Sequence, residues 1–316
     1  MLNKLNPKFL ERLNLIYTKE ELEIVKSSFL LLNKKTTFRV NTLKSSNEEI
    51  ENILKENNIA FEKVWFLSNW YVLVWSKEKD LWNLDIYKNW NIYLQWLTSQ
   101  IPVEIIDLEP WFNVLDLTSA PWSKTSQISA KLQNTWKIFA NELSSVRREK
   151  LKYTIEKQWC KNVEIIWKDA TKKVIEKDMF FDVILLDAPC SSEWKINLNK
   201  EKIWNNWTLG NISRNYKIQK EILKNNISLL KQWWQLIYST CTLAPEENEA
   251  IVHFLLCNYK DLEIVDINLN FLNDFRFKAW ITRFWDVVYK KDVSKSLRIL
   301  PSESTEWFFV AKFKKI

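Results

Sequence analysis

The 316-residue chain predicts an α/β fold, a doubly wound and mostly parallel sheet with a small N-terminal α/β domain in front of it. Three observations lead there. From about residue 91 short apolar runs alternate with helical patterns, which is how a parallel sheet covered by helices on both faces is written. Hydrophobic residues make up 47% of the chain, enough to bury a sizeable core. Residues 1–90 lack that alternation, so the one boundary is drawn near 88–96 and separates domains 1–90 and 91–316.

The elements follow in order. In the first domain a helix is expected over 20–32, a strand over 37–41, a helix over 46–57 and a strand over 71–74. Ser46 opens that second helix, with Glu48 and Glu49 in its first turn. In the second domain strands are expected over 113–117, 137–140, 163–166, 181–186 and 235–238, and helices over 123–132, 146–157, 217–230 and 246–257. Ligands of such sheets bind beyond the carboxyl ends of the strands.

Composition narrows the function classes. Asp182 and Asp187 interrupt the longest apolar run well short of the ~20 residues of a membrane helix, so no membrane partner is expected. Lys4, Pro7, Lys8 and Glu11 do not form a secretory leader, and a cytoplasmic location follows. Cys160, Cys190, Cys241 and Cys257 lack zinc-site spacing and are too few for a disulfide framework; reduced thiols and no metal are expected. The net charge of +7 is concentrated near the carboxyl end, which suits phosphates and a solvated tail equally.

The chain has one glycine and nineteen tryptophans, where average usage of ~7% would give roughly 22 glycines. Several tryptophans stand where glycine is comfortable: Trp122 in a strand-to-helix turn, and Trp233-Trp234 between a helix-like run and a strand. The tryptophans favour turns over any helical or strand period, which argues against an aromatic binding surface. The gene is therefore read as using UGA for glycine, with Gly210 written by an ordinary codon and Trp204 or Trp207 genuine.

Residues 114–125 run from an apolar strand through a small-residue turn into a helix, so that with glycine at 122 backbone N–H groups could face a ligand. The segment lacks the dinucleotide and phosphate-loop fingerprints and is a generic nucleotide-type loop. Glu142, Asp169 and Asp187 close successive strands, where a carboxylate can bind ribose or adenine or merely cap the strand. Cys190 and Cys241 each follow an apolar strand and so share one edge of the sheet. Either could be a nucleophile if a neighbour such as Lys124 lowered its pKa; inert core cysteines are the commoner fate.

Four strings, LDLTSAPWSKT (115–125), LLDAPCSSEWKI (185–196), YSTCTLAPEENE (238–249) and LRILPSESTEWFFVAKFKK (297–315), resemble in order the motifs of the nucleolar-protein/Sun family of S-adenosylmethionine-dependent RNA cytosine-5 methyltransferases. Arg39-Val40-Asn41-Thr42 resembles the family's upstream RVN signature, and coverage runs from about residue 36 to the end. Trp122, Trp194, Trp233, Trp234 and Trp307 stand where that family has glycine, as does Ser192. Ser119 and Ser123 exchange one small residue for another.

The resemblance implies a Rossmann-like methyltransferase sheet acting on rRNA or tRNA; a monomer is expected. It seats S-adenosylmethionine over Thr118, Ser119, Ala120, Pro121, Trp122, Ser123 and Lys124, with Glu142 on the ribose, Asp169 near the adenine and Asp187 alongside. Cys241 would add to C6 of the cytosine, Asp187 would share a proton at N3, Lys124 would hold Asp187 in register and Cys190 would assist release. The target base must leave its stack. The 1–90 module, as an RNA-binding unit with Arg39 foremost, and the basic carboxyl-terminal segment are expected to contact phosphates. Pro245-Glu246-Glu247-Asn248 is expected to start a helix that fixes where Cys241 points. Two other readings stay open. One is a DNA cytosine methyltransferase with Cys190 as nucleophile; the other is a catalytically inactive RNA-binding assembly factor, favoured if Trp122 is genuine.

Overall fold

The computed structural model describes residues 5–30, 34–65, 67–120, 123–176, 178–199, 207–267, 275–278 and 281–316. The first part of the chain forms helices α1 (Pro7–Ile16) and α2 (Lys19–Ser28), strand β1 (Thr37–Val40), α3 (Asn47–Glu56), β2 (Phe61–Lys63), β3 (Trp70–Leu73), the single-turn helices α4 (Glu78–Leu81) and α5 (Asp85–Lys88), and β4 (Ile92–Leu94). Local chemistry sets several of these limits. Thr18 and Glu21 form a capping box at the start of α2, and Ser46 accepts from the Glu49 N–H at 3.1 Å to open α3. Strands β1 to β4 pair antiparallel in the order β2-β3-β1-β4.

The rest of the chain follows with α6 (Leu97–Glu104), β5 (Val114–Asp116), α7 (Ser123–Lys131), β6 (Ile138–Asn141), α8 (Ser145–Lys157), β7 (Val163–Ile166), β8 (Phe181–Asp187), α9 (Leu209–Asn226), β9 (Leu230–Thr240), α10 (Glu249–Asn258) and β10 (Leu262–Val265). Short strands β11 (Phe277–Lys278), β12 (Arg283–Phe284) and β13 (Val287–Val288) precede β14 (Leu297–Ile299) and β15 (Phe308–Lys315). Among the described residues, the large sheet runs β11-β14-β15-β9-β8-β5-β6-β7, with β10 on β15. Its centre, β9-β8-β5-β6-β7, is parallel, as the alternation of strands and helices requires. Strand β15 closes the side beyond β9 in antiparallel register, Val310 opposite Ser239.

Three expectations are corrected by packing. The domain limit at residue 90 falls too early, because β4 pairs with β1 and belongs to the N-terminal sheet. Nor do residues 5–29 belong to that module: Phe9, Leu13, Val25 and Phe29 lie in the same apolar core as Phe181, Leu186 and Tyr238 of the large sheet. The basic carboxyl-terminal segment is largely spent on internal partners. Lys278 meets Glu21 at 2.7 Å, Lys312 meets Asp107 at 2.6 Å, and Arg298 grips both oxygens of Glu249 in the interior. Helix α9 also starts earlier than the expected 217, because Thr208 caps it by accepting from the Asn211 N–H at 3.0 Å. No helix among the described residues is long and apolar enough to cross a membrane.

Candidate active site

Parallel pairing decides which loops meet. Asp187 lies opposite Ser239, so the chain leaves β8 and β9 at the same edge and at the same height. The Ala188 N–H donates to the Ser239 carbonyl at 2.8 Å, which holds the two exits together. The loops then bring Cys190 and Cys241 to an Sγ···Sγ distance of 3.2 Å. The expectation of two thiols on one rim describes the geometry.

Beside them, Lys124 Nζ lies 2.6 Å from Asp187 Oδ2, and Ser239 Oγ donates to Asp187 Oδ1 at 2.8 Å. Lys124 is held in turn by Ser99 Oγ at 3.1 Å and by the Phe308 ring, 5.6 Å from its centroid. Its ammonium is thus committed to Asp187, and the group that eases ionisation of a thiol is the other cysteine. The hydrogen bond from Cys241 lowers the pKa of Cys190, against burial; the same bond, reinforced by burial, raises that of Cys241. The pair shares its protons and loses them in two separated steps.

A cavity of about 790 Å³ opens from this point along the strand ends. Thr118 and Ala120 line it from the turn after β5, Ser123 and Lys124 from the start of α7, Glu142 and Asp169 from beyond β6 and β7, and Asp187, Cys190 and Cys241 from the far side. Pro121 and Trp122, expected in the same turn, lie outside the described residues. Ser119 is corrected. It is buried beneath the turn, its hydroxyl donating to the Asp116 carbonyl at 3.2 Å and its N–H to the Asn141 carbonyl at 3.0 Å, so it supports the turn from behind.

The acidic residues differ in their freedom. Glu142 is buried and its Oε1 accepts from the Ser144 N–H at 2.7 Å and from Arg147 at 2.9 Å. Asp169 accepts from the Thr171 hydroxyl at 2.7 Å and its N–H at 3.0 Å, and these bonds lower its pKa. Asp116 was not singled out from the sequence. It is buried under the cavity floor, where it accepts from the Thr125 hydroxyl at 2.6 Å, and burial pushes its carboxyl up to about 6. A lone acid inside an apolar strand, nine positions before a threonine on the next helix, was the available signal.

Arg39 is a second correction. Only 2% of it is exposed, and its guanidinium donates to Gln95 at 2.9 Å, Ser126 at 2.8 Å and Gln158 at 3.0 Å. It therefore ties the N-terminal sheet to α7 and to the end of α8, where a phosphate could not reach it. The Cys241 loop has its own supports that sequence reading missed: Arg298 donates to the Leu243 carbonyl at 3.0 Å, and Asn248 to the Thr242 carbonyl at 2.9 Å.

Comparison with known proteins gives matching findings. The family described as "16S rRNA methyltransferase RsmB/F" matches residues 104–314. The chain is 30% identical, over 99% of its length and 97% of the other's, to the tRNA (cytosine(49)-C(5))-methyltransferase of Pyrococcus abyssi. It is 33% identical over 88% of its length to the ribosomal RNA small subunit methyltransferase F of Psychromonas ingrahamii, and spans 56% of that protein. The fold is shared with NSun6 from Pyrococcus horikoshii, solved with SFG, at a TM-score of 0.84 and 20% identity over 100% of this chain and 99% of that one. A methyltransferase homolog protein, also from Pyrococcus horikoshii, gives 0.79 at 24% identity over 99% of this chain and 100% of that one.

Proposed function

The chain belongs to the RsmB/F methyltransferase family, and on that premise we propose that it methylates C5 of a cytosine in rRNA or tRNA, with Cys241 as the nucleophile. One observation carries the mechanism: two thiols 3.2 Å apart stand beside a Lys124–Asp187 pair at the end of a nucleoside-sized cavity. The same cavity suits S-adenosylmethionine. A buried carboxyl at Glu142 fits a ribose diol, Asp169 fits an adenine amino group, and Thr118 and Ala120 line the cavity ahead of α7, which starts at Ser123. When bound, the cofactor supplies the electrophilic methyl group.

This chain's residues do the rest. Cys190 takes the Cys241 proton across the sulfur contact, and the Cys241 thiolate adds to C6 of the cytosine. The C5–C6 double bond opens, C5 becomes nucleophilic, and N3 takes a proton that Lys124 passes to it through the Asp187 carboxylate. Once C5 carries the methyl group it gives up its hydrogen as a proton to solvent, the Cys241–C6 bond breaks with its electrons on sulfur, the C5–C6 double bond re-forms, and N3 returns its proton to the Asp187–Lys124 pair. Cys190 returns the proton to the departing thiolate. One observation favours a second assignment: the hydrogen bond from Cys241 eases ionisation of Cys190, which would suit Cys190 as the attacking group.

A cytoplasmic monomer is part of the proposal, as is an RNA-contacting role for the module that ends near residue 95. Bisulfite mapping of total RNA with and without the gene tests the function. One or a few cytosines should lose protection from conversion when the gene is absent. An unchanged map would contradict the reading.

A further inference from the structure

Resting on the catalytic reading above, we propose that Glu247, Ser191, Thr242 and Glu193 form a hydrogen-bonded clamp that sets the separation of the two thiols. Ser191 follows Cys190 and Thr242 follows Cys241, so each loop contributes one hydroxyl immediately beside its sulfur. The two oxygens are 2.8 Å apart. Each loop is also gripped by a carboxyl group from across the gap. Glu247, beyond the Cys241 loop, contacts the Ser191 hydroxyl and accepts from the Ser191 N–H at 3.0 Å. Glu193, beyond the Cys190 loop, contacts the Thr242 hydroxyl and accepts from the Leu243 N–H at 2.9 Å. The bracing is reciprocal.

Counting protons along this chain gives its state. With both carboxyl groups ionised, each hydroxyl would donate outward, and no hydrogen would remain between the Ser191 and Thr242 oxygens. One added proton completes the series: Glu247 donates to Ser191, Ser191 to Thr242, and Thr242 to the Glu193 carboxylate. Glu247 is the end that holds it. Burial first, then the nearby Glu193 and Cys190, push its carboxyl up to about 9. The groups facing it are Glu193 from its 3-10 turn, Cys190 and Ser191 from their loop, Gln219 of α9, whose amide donates at 3.0 Å, and Tyr238 of β9, whose hydroxyl donates to the Glu247 carbonyl at 2.5 Å. Glu247, Ser191, Thr242 and Glu193 are positioning residues, since they act through the cysteines.

The test measures thiol separation without relying on methylation. A diazene-dicarboxamide oxidant joins the two thiols as a disulfide and takes up their two hydrogens; its rate is divided by the rate of single-thiol alkylation with iodoacetamide. Ser191→Ala, which deletes the middle of the chain, should lower that ratio at least about tenfold while the far-ultraviolet circular dichroism is unchanged. Glu247→Gln keeps a donor toward Ser191 and should hold the ratio within about threefold. It should also flatten the pH dependence of stability. The folded protein keeps a proton that the unfolded chain loses near 4.5, so wild-type stability falls as pH rises from there towards 9. An unchanged ratio in Ser191→Ala, or an undiminished slope in Glu247→Gln, overturns the clamp. If the ratio falls as stated but no RNA is methylated by the wild type, the functional reading fails and the clamp stands.

A second inference starts from backbone angles. Among the described residues nine that are not glycine have positive φ, and five of these are tryptophan: Trp75, Trp90, Trp159, Trp233 and Trp285. Tryptophan is 19 of 316 residues, so its share at these positions is far above its share of the chain. Two of the sites have a specific requirement. After α5 the Trp90 N–H donates to the Tyr87 carbonyl and the Asn91 N–H to Ile86; after α8 Trp159 donates to Glu156 and Cys160 to Ile155. Both are the paired bonds of a helix end whose left-handed residue is ordinarily glycine. Trp285 opens the two-residue turn between β12 and β13, where the favoured turn also wants glycine first. Trp75 and Trp233 are 94% and 59% exposed, so burial does not compensate for the strained backbone.

We infer that these five tryptophans are glycines in the protein made by its native host, through UGA read as glycine, and that Trp122 follows the same rule. Trp207, whose indole donates to Glu193 at 3.1 Å, and Trp82, whose indole donates to Glu78 at 3.3 Å, have ring partners that glycine could not supply. Peptide mass spectrometry of protein from the native host, set against the codons of its gene, decides. Glycine at UGA positions supports the inference. Tryptophan at Trp90 or Trp159 overturns it.

Discussion

Replacing Cys241 by serine should abolish methyl transfer, with turnover falling by on the order of 10³ or more. The hydroxyl would occupy nearly the same place but ionises far less readily than a thiol, and without attack at C6 the C5 carbon has no electron density to offer. Cys190→Ser should give a different failure. The sulfur that raises the pKa of Cys241 is gone, so Cys241 can ionise without its partner and the first bond still forms, but the group that returns the proton at release has lost its sulfur at 3.2 Å. Product should therefore form slowly while protein bound covalently to RNA accumulates on denaturing gels. Equal, adduct-free loss in both variants would show that the cysteines are not divided in this way.

The second large effect belongs to Asp187. Asp187→Asn keeps the size and leaves the Ser239 hydroxyl a carbonyl oxygen to donate to, but removes the charge opposite Lys124. Turnover should fall by about 10² to 10⁴, the range for loss of a positioned proton donor. The Michaelis constant for S-adenosylmethionine should change much less, because Glu142 and Asp169 lie at the other end of the cavity. A large rise in that constant with unchanged turnover would move Asp187 from proton transfer to cofactor binding. Steady-state kinetics at saturating RNA separates the two outcomes.

The parts of this molecule legible in the sequence are those governed by local period and by motif. Strand β7 falls on the residues its apolar run marks, and Ser46 caps α3 as its side chain predicts. Cys190 and Cys241 could be brought to one edge on paper because each follows an apolar strand, and parallel strands end at a common rim. Residues acting across the chain were not legible. Arg39 reads as a phosphate ligand until its three side-chain partners, up to 119 positions away, are seen around it. Asp116 and Glu247 owe their shifted pKa values to burial, which no local pattern encodes. The carboxyl-terminal charge misled for a related reason: strand β15 lies inside the sheet, and its lysines reach back to acids far earlier in the chain.

The assignment of the attacking sulfur can be read from one trapped complex. RNA carrying 5-fluorocytosine cannot lose a proton from C5, so the cysteine that attacks stays bonded to C6, and digestion followed by mass spectrometry names it. The peptide containing Cys241 should carry the nucleotide, and the adduct should survive in Cys190→Ser. A nucleotide on Cys190, or an adduct that persists in Cys241→Ser, would contradict the account.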